Sequence, residues 1–152
     1  MKHSIPPVLT LLAVLLMLPV QLQAQPYNHA GGVRAGYTSG ITYKGLFLHS
    51  MNGVEIDAGY NNHGLNLSAL YVMHREVSTS SRWLLYGGGG VFGGEWDQEV
   101  SAGLVAMGGI EYVVRDLPLN FGFDWKPMIN LYKVFDTDFL DFAVTIRYRF
   151  SL

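Results

Sequence analysis

"PLNFGFDWKP" (residues 118–127) sets Leu119, Phe121, Phe123 and Trp125 on one side of an alternation and Asn120, Asp124 and Lys126 on the other. Successive side chains of an extended chain point to opposite faces, so this alternation predicts a β-strand. One face of that strand is apolar and largely aromatic, and the other is polar. The face that meets water decides the surroundings for which the protein is built.

The same pattern recurs along the chain. "GGVRAGY" (31–37) sets Val33, Ala35 and Tyr37 against Arg34, and "ITYKGLFLHS" (41–50) sets Ile41, Tyr43 and Phe47 against Thr42 and Lys44. After an Asn-Gly pair of the kind that turns hairpins, "VEIDAGY" (54–60) opposes Val54, Ile56, Ala58 and Tyr60 to Glu55 and Asp57. "LNLSALYVMH" (65–74) opposes Leu65, Leu67, Tyr71 and Met73 to Asn66, Ser68 and His74. In "RWLLYGGGGVF" (82–92) alternation fails and no face can be assigned. "VSAGLVAMGGIEYVV" (100–114) becomes readable at Ile110 and Tyr112 against Glu111. After a loop expected near 128–138, "FLDFAVTIRYRF" (139–150) opposes Phe142, Val144, Ile146, Tyr148 and Phe150 to Asp141, Thr145, Arg147 and Arg149. Consecutive strands with short turns predict an antiparallel meander, and no linker divides the chain.

The minority face therefore collects Arg34, Lys44, Lys126, Arg147 and Arg149 with Glu55, Asp57, Glu111, Asp124 and Asp141. A water-soluble sandwich would turn those charges outward and carry many more of them. Charged residues make up 14% of this chain, against about 25% in typical soluble domains. A transmembrane barrel inverts the faces, with apolar side chains toward lipid, aromatics at the interfaces and polar groups in the lumen. An eight-stranded barrel has an interior just wide enough for its own side chains. Charges of both signs in near-equal number are what a self-neutralising interior needs, because an isolated buried ion is costly. A sheet in hydrocarbon must close to satisfy its backbone. The expected fold is all-β: an eight-stranded antiparallel up-and-down transmembrane β-barrel. Which acid meets which base cannot be read without strand register.

The N-terminal part has a different character. Lys2 and His3 precede the apolar run "VLTLLAVLLMLPV" (8–20), and "QLQA" ends on Ala24. That order matches a secretory signal, and the run is shorter than the roughly 20 residues of a spanning helix. Residues 1–24 are thus expected to be a signal peptide and 25–152 the barrel domain. Export, together with an even strand number, implies a Gram-negative-type outer membrane with both termini periplasmic. The chain has no cysteine, so no disulfide framework is expected. Ten Lys and Arg against twelve Asp and Glu, with no basic run, exclude a nucleic-acid partner.

The ending "TIRYRF", with Tyr148 and Phe150 on the apolar face, resembles the terminal aromatic strand that the barrel assembly machinery reads, although Ser151 and Leu152 follow it. "GIEYVVRDLPLNFGFDWKP" with "AVTIRYRF", and "RAGYTSGITYK" near the start, resemble small porin-like outer-membrane barrels of Bacteroidetes type. The resemblance covers most of the segment 25–152. It implies a fold and two partners, outer-membrane lipids and the assembly machinery, but no functional residue.

Motifs of chemistry are sparse. "GGGVFG" (88–93) matches a dinucleotide fingerprint in letters only, since no helix follows; its glycines are expected to leave room in the lumen or let the sheet curve. His49 and Ser50 are neighbours on opposite strand faces and cannot act as a pair. His63, in "NNHG", has no acid close in sequence, and His74 is expected inside the lumen as a polar plug. "GGEWDQE" (93–99) is expected to be an acidic outer loop. No histidine spacing or cysteine suggests a metal, and no cofactor or catalytic residue is expected. The function expected is structural or surface-interacting, with a surface partner that the sequence does not name. A narrow channel or transporter for small solutes, and an outer-membrane lipid-modifying enzyme, are the alternatives.

Overall fold

Alternating stretches with β-branched and aromatic residues become strands wherever the pattern is clear. In the computed structural model the described residues are 27–47, 50–77 and 82–151. The expected signal peptide (1–24) and His49 lie outside them. The strands are β1 (His29–Gly36), β2 (Ser39–Leu46), β3 (Asn52–Asn61), β4 (Gly64–Glu76), β5 (Trp83–Trp96), β6 (Glu99–Val113), β7 (Leu119–Trp125), β8 (Met128–Asn130), β9 (Asp136–Asp138) and β10 (Phe142–Phe150). Every pairing is antiparallel, and β1 joins β10 from His29↔Phe150 to Gly36↔Ala143. The sheet closes on itself.

The ten segments make eight staves. β7 and β8 are one stave interrupted at Lys126–Pro127, and β9 and β10 are another interrupted at 139–141. Proline has no N–H to give to a ladder. At the break the Lys126 N–H donates to Asp141 O (2.8 Å), the Pro127 carbonyl still accepts from Ala106 N (3.0 Å), and the Trp125 indole donates to Phe139 O (2.7 Å). The segment 139–141 carries one more residue than the two it faces, which is a bulge. The protein is a closed, eight-stranded, antiparallel up-and-down β-barrel.

Two expected loops are corrected. "GGEWDQE" is not a loop: β5 runs through Trp96, β6 starts at Glu99, and Asp97 (φ 53°) and Gln98 (φ 71°) form the two-residue turn between them. Two successive left-handed residues are the signature of a tight hairpin turn. The loop expected over 128–138 shrinks to residues 131–135, because β8 and β9 pair from Met128↔Asp138 to Asn130↔Asp136.

The barrel is inside-out relative to a water-soluble domain. Val33, Ile41, Leu67, Val91, Phe123 and Ile146 lie exposed on the outer wall, while Arg34, Lys44, Glu55, Glu111, Asp124 and Arg147 are buried inside. The interior is not only polar, however. On β5, Leu84, Tyr86, Phe92 and Trp96 point inward while Trp83, Leu85 and Val91 point outward, so apolar residues occupy both faces and no polar alternation could appear. Phe92 and Trp96 pack with Leu70, Val72, Tyr86, Val105, Met107 and Met128 into one apolar half of the lumen. Gly103 makes the room, since a Cβ there would lie 2.8 Å from Cε1 of the Phe92 ring and against the Ile129 carbonyl. Gly90 instead allows backbone approach: a Cβ there would collide with the Ala69 carbonyl of β4, consistent with tight sheet curvature.

Candidate functional site: the charged half of the lumen

Opposite the apolar half, inward positions of six staves bring nine ionic side chains together. Arg34 comes from β1, Lys44 from β2, Glu55 and Asp57 from β3, Glu111 from β6, Asp124 from β7, and Arg147 from β10. Lys126 and Asp141 sit at the two breaks. All nine are buried.

They sort into three groups. Arg147 donates to Glu55 Oε1 and lies 3.6 Å from Glu111 Oε2, with Thr145 Oγ1 accepting from Nη1 at 3.0 Å. Lys44 Nζ lies 3.2 Å from Glu111 Oε2 and 3.2 Å from Glu55 Oε2, the latter an ion-pair contact without hydrogen-bond geometry. β2 and β6 are four staves apart in either direction, so the Lys44–Glu111 contact crosses the full width of the lumen. Arg34 forms the second group. Its Nε (3.1 Å) and Nη2 (2.8 Å) donate to Asp124 Oδ1, and its Nη1 donates to Asp141 Oδ1 (2.9 Å) and to Thr38 O (2.7 Å). The third group is the Lys126–Asp57 pair at 3.3 Å.

Neutral groups at the boundary with the apolar half complete the cluster. The Tyr86 hydroxyl donates to Asp124 Oδ2 (3.2 Å), and its ring lies 3.9 Å beneath Lys44 Nζ. That geometry lets an aromatic face share a desolvated ammonium. His74 is held by Lys44 at Nε2 (3.2 Å) and by the Met51 carbonyl at Nδ1 (3.1 Å), so neither ring nitrogen is left as a free base. Desolvating so many ions costs several kcal/mol each and is offset only by close pairing and saturated hydrogen bonding. The pairing is close but not complete: Glu55 Oε2, Asp57 Oδ1 and Asp141 Oδ2 have no hydrogen-bond partner.

Arg149 does not join it. The side chain lies half-buried at the rim, and Nη2 donates to the carbonyls of Val114 and Leu117 (2.7 Å each) in the β6–β7 turn. The cluster thus holds four bases and five acids. On the outer wall Phe150 stacks on His29 (centroids 5.7 Å apart), and His29 in turn bonds the Tyr43 hydroxyl at 2.7 Å. The terminal aromatic therefore packs across the β10–β1 closure.

A residue missed in the sequence completes this end. Tyr27, just before β1, turns its ring into the lumen beside Ala30 and Leu46. Its hydroxyl donates to Glu111 Oε1 at 2.6 Å, beside Asn120 Nδ2 at 2.9 Å. Lying outside any alternation, it carried no signal of its facing. Tyr27→Phe is expected to cost about 1.5 to 3 kcal/mol, the usual range for a hydrogen bond to a charged acceptor. Denaturant unfolding of the folded chain measures this, and an unchanged midpoint would deny the bond any role.

Acids distant in sequence flank His63: Asp97 Oδ1 is 3.0 Å from Nδ1 and Asp138 Oδ2 is 3.8 Å from Nε2. Among the described residues no three or more His, Cys, Asp or Glu side chains are placed to hold a metal ion. No family model matches the chain, and no curated protein is significantly similar to it.

Proposed function

We propose that this chain is a small outer-membrane β-barrel whose side-chain-filled lumen suits it to a structural or surface-interaction role. The observation that carries this reading is the inversion of faces: nine ionic side chains are buried inside while large apolar side chains cover the outer wall. Water would favour the opposite arrangement, and hydrocarbon favours this one. The Lys44–Glu111 contact bridges opposite walls of the lumen, which supports a plug over a pore. Outer-membrane lipid is the surrounding partner in this reading, and the assembly machinery acts on the terminal strand carrying Tyr148 and Phe150.

The turns at the end remote from the termini span residues 37–38, 62–63, 97–98 and 131–135. At the terminal end the turn made wholly of described residues is 114–118. The expected export and the even strand count favour periplasmic termini. Labelling of single cysteines at Asp97 and Asp116 in intact cells reads the orientation.

The function itself is tested by folding the chain into lipid vesicles and then into planar bilayers. Heat-dependent gel mobility and no steady unitary conductance are expected. A chain that stays in solution without lipid overturns the membrane reading, and a stable unitary conductance replaces the plug with a channel.

A further inference from the structure

The nine ions of the lumen do not balance evenly along its length. Lys44, Arg147, Glu55 and Glu111 form one connected set of two bases and two acids. Nearer the mouth remote from the termini, Arg34 and Lys126 serve Asp57, Asp124 and Asp141, two bases for three acids. The whole excess of negative charge in the cluster lies in this second set.

Oxygens without hydrogen-bond partners gather in the same place. Asp57 Oδ1 and Asp141 Oδ2 are two of them, and Asn66 Oδ1 and Ser68 Oγ are two more. Asp57 stands directly opposite Ser68 across β3 and β4, a pairing that brings Cβ atoms to about 5 Å. Asn66 shares the inward face of β4 with Ser68, two residues away, and stands opposite Gly59 of β3. The Thr38 side chain lies over Gly59, where a Cβ would be 2.8 Å from Thr38 Cγ2. The Thr38 N–H in turn donates to Asp141 Oδ1 at 3.1 Å, which ties Asp141 to this part of the wall. Lys126 links the two acids: its N–H donates to the Asp141 carbonyl (2.8 Å) and its Nζ to Asp57 Oδ2 (3.3 Å). Asp141 is 0% exposed, Ser68 1%, Asp57 2% and Asn66 4%, so bulk water does not serve these oxygens.

We infer that this patch binds one monovalent metal cation, with Asp57 Oδ1, Asp141 Oδ2, Asn66 Oδ1 and Ser68 Oγ as its ligands. Buried acceptors without partners call for an explanation. A water molecule supplies donors but no charge, and an uncompensated buried carboxylate is costly. One positive charge brings the second set to balance, whereas a divalent ion would overshoot it. Carboxylate, amide and hydroxyl oxygens suit a hard cation, and the patch offers no imidazole or thiolate for a transition metal. The site lies inside the wall and goes beyond the structural role proposed above.

Urea unfolding of the full chain in zwitterionic lipid vesicles tests this, with sodium chloride exchanged for tetramethylammonium chloride at constant ionic strength. Above its dissociation constant, sodium is expected to raise the folded-to-unfolded ratio about tenfold for each tenfold rise in concentration. Tetramethylammonium carries the same charge behind methyl groups, so no oxygen can coordinate it and no rise is expected. Ser68→Ala keeps every charge and removes one ligand; its response is expected to move to about tenfold higher sodium. Asp57→Asn leaves two bases and two acids, and its sodium response is expected to vanish. Ser101→Ala removes another buried, unpartnered hydroxyl two staves away on β6, and is expected to respond as the unmodified protein does. A midpoint indifferent to sodium would overturn the site and leave the excess charge to a bound proton. A response that survives Asp57→Asn, or that Ser101→Ala shifts as far as Ser68→Ala, would place the ion elsewhere and overturn it equally.

Discussion

Arg147→Met is expected to destabilise the folded barrel by about 3 to 5 kcal/mol, the usual cost of leaving a buried charge without its partner. Arg147 is fully buried and serves both Glu55 and Glu111. Its removal leaves two carboxylates sharing the single ammonium of Lys44, which lies 3.2 Å from each. Adding Glu55→Gln should recover much of the loss, because the group is then reduced to the neutral Lys44–Glu111 pair. The order of effects distinguishes charge from volume: a packing defect would worsen with the second substitution, whereas an uncompensated charge is relieved by it. Urea unfolding of the lipid-folded protein, taken as a double-mutant cycle, measures the coupling. Additive losses at the two positions would mean that the lumen ions do not act as a unit.

Phe123→Arg is expected to cost roughly 2 to 4 kcal/mol in lipid vesicles, the range for a cation facing mid-bilayer on a barrel wall. Phe123 is 51% exposed, is paired with Ile110 and Val144, and lies against Phe142 with ring centroids 6.1 Å apart. Leu117→Arg is the matched control. Leu117 is similarly exposed but lies in the β6–β7 turn at the rim, where an arginine can reach water. A large penalty at Phe123 beside a small one at Leu117 gives the depth dependence that hydrocarbon imposes. Equal, small effects at both positions would mean that the outer wall meets water, and the membrane reading would fall with them.

Much of the wall was legible in the letters because strand facing is local. A period of two needs only a few neighbours to declare itself, so Arg34 against Val33 and Asp124 against Phe123 could be read without a partner strand. β5 could not be read this way. Its inward Leu84, Tyr86 and Phe92 are as apolar as its outward Trp83, Leu85 and Val91, because half of the lumen is filled by hydrocarbon and only the other half by ions. The extension of β5 to Trp96 was hidden for a related reason: Asp97 and Gln98 adopt left-handed conformations in a tight turn, and the acidic letters around them suggested an open loop.

By itself, then, the sequence determined a closed all-β wall, which face of most strands carries charge, and the near balance of that charge. Each of these depends on residues within a few positions of one another, or on their sum. Tertiary structure alone decided the partners. Arg147 and Arg149 share a face two residues apart, yet one reaches Glu55 and Glu111 across the lumen while the other meets turn carbonyls at the rim. His63, Asp97 and Asp138 meet because three separate hairpins end at the same mouth. The physical reason is that pairing across a barrel depends on register and on how the sheet closes, and both are set by all the staves together.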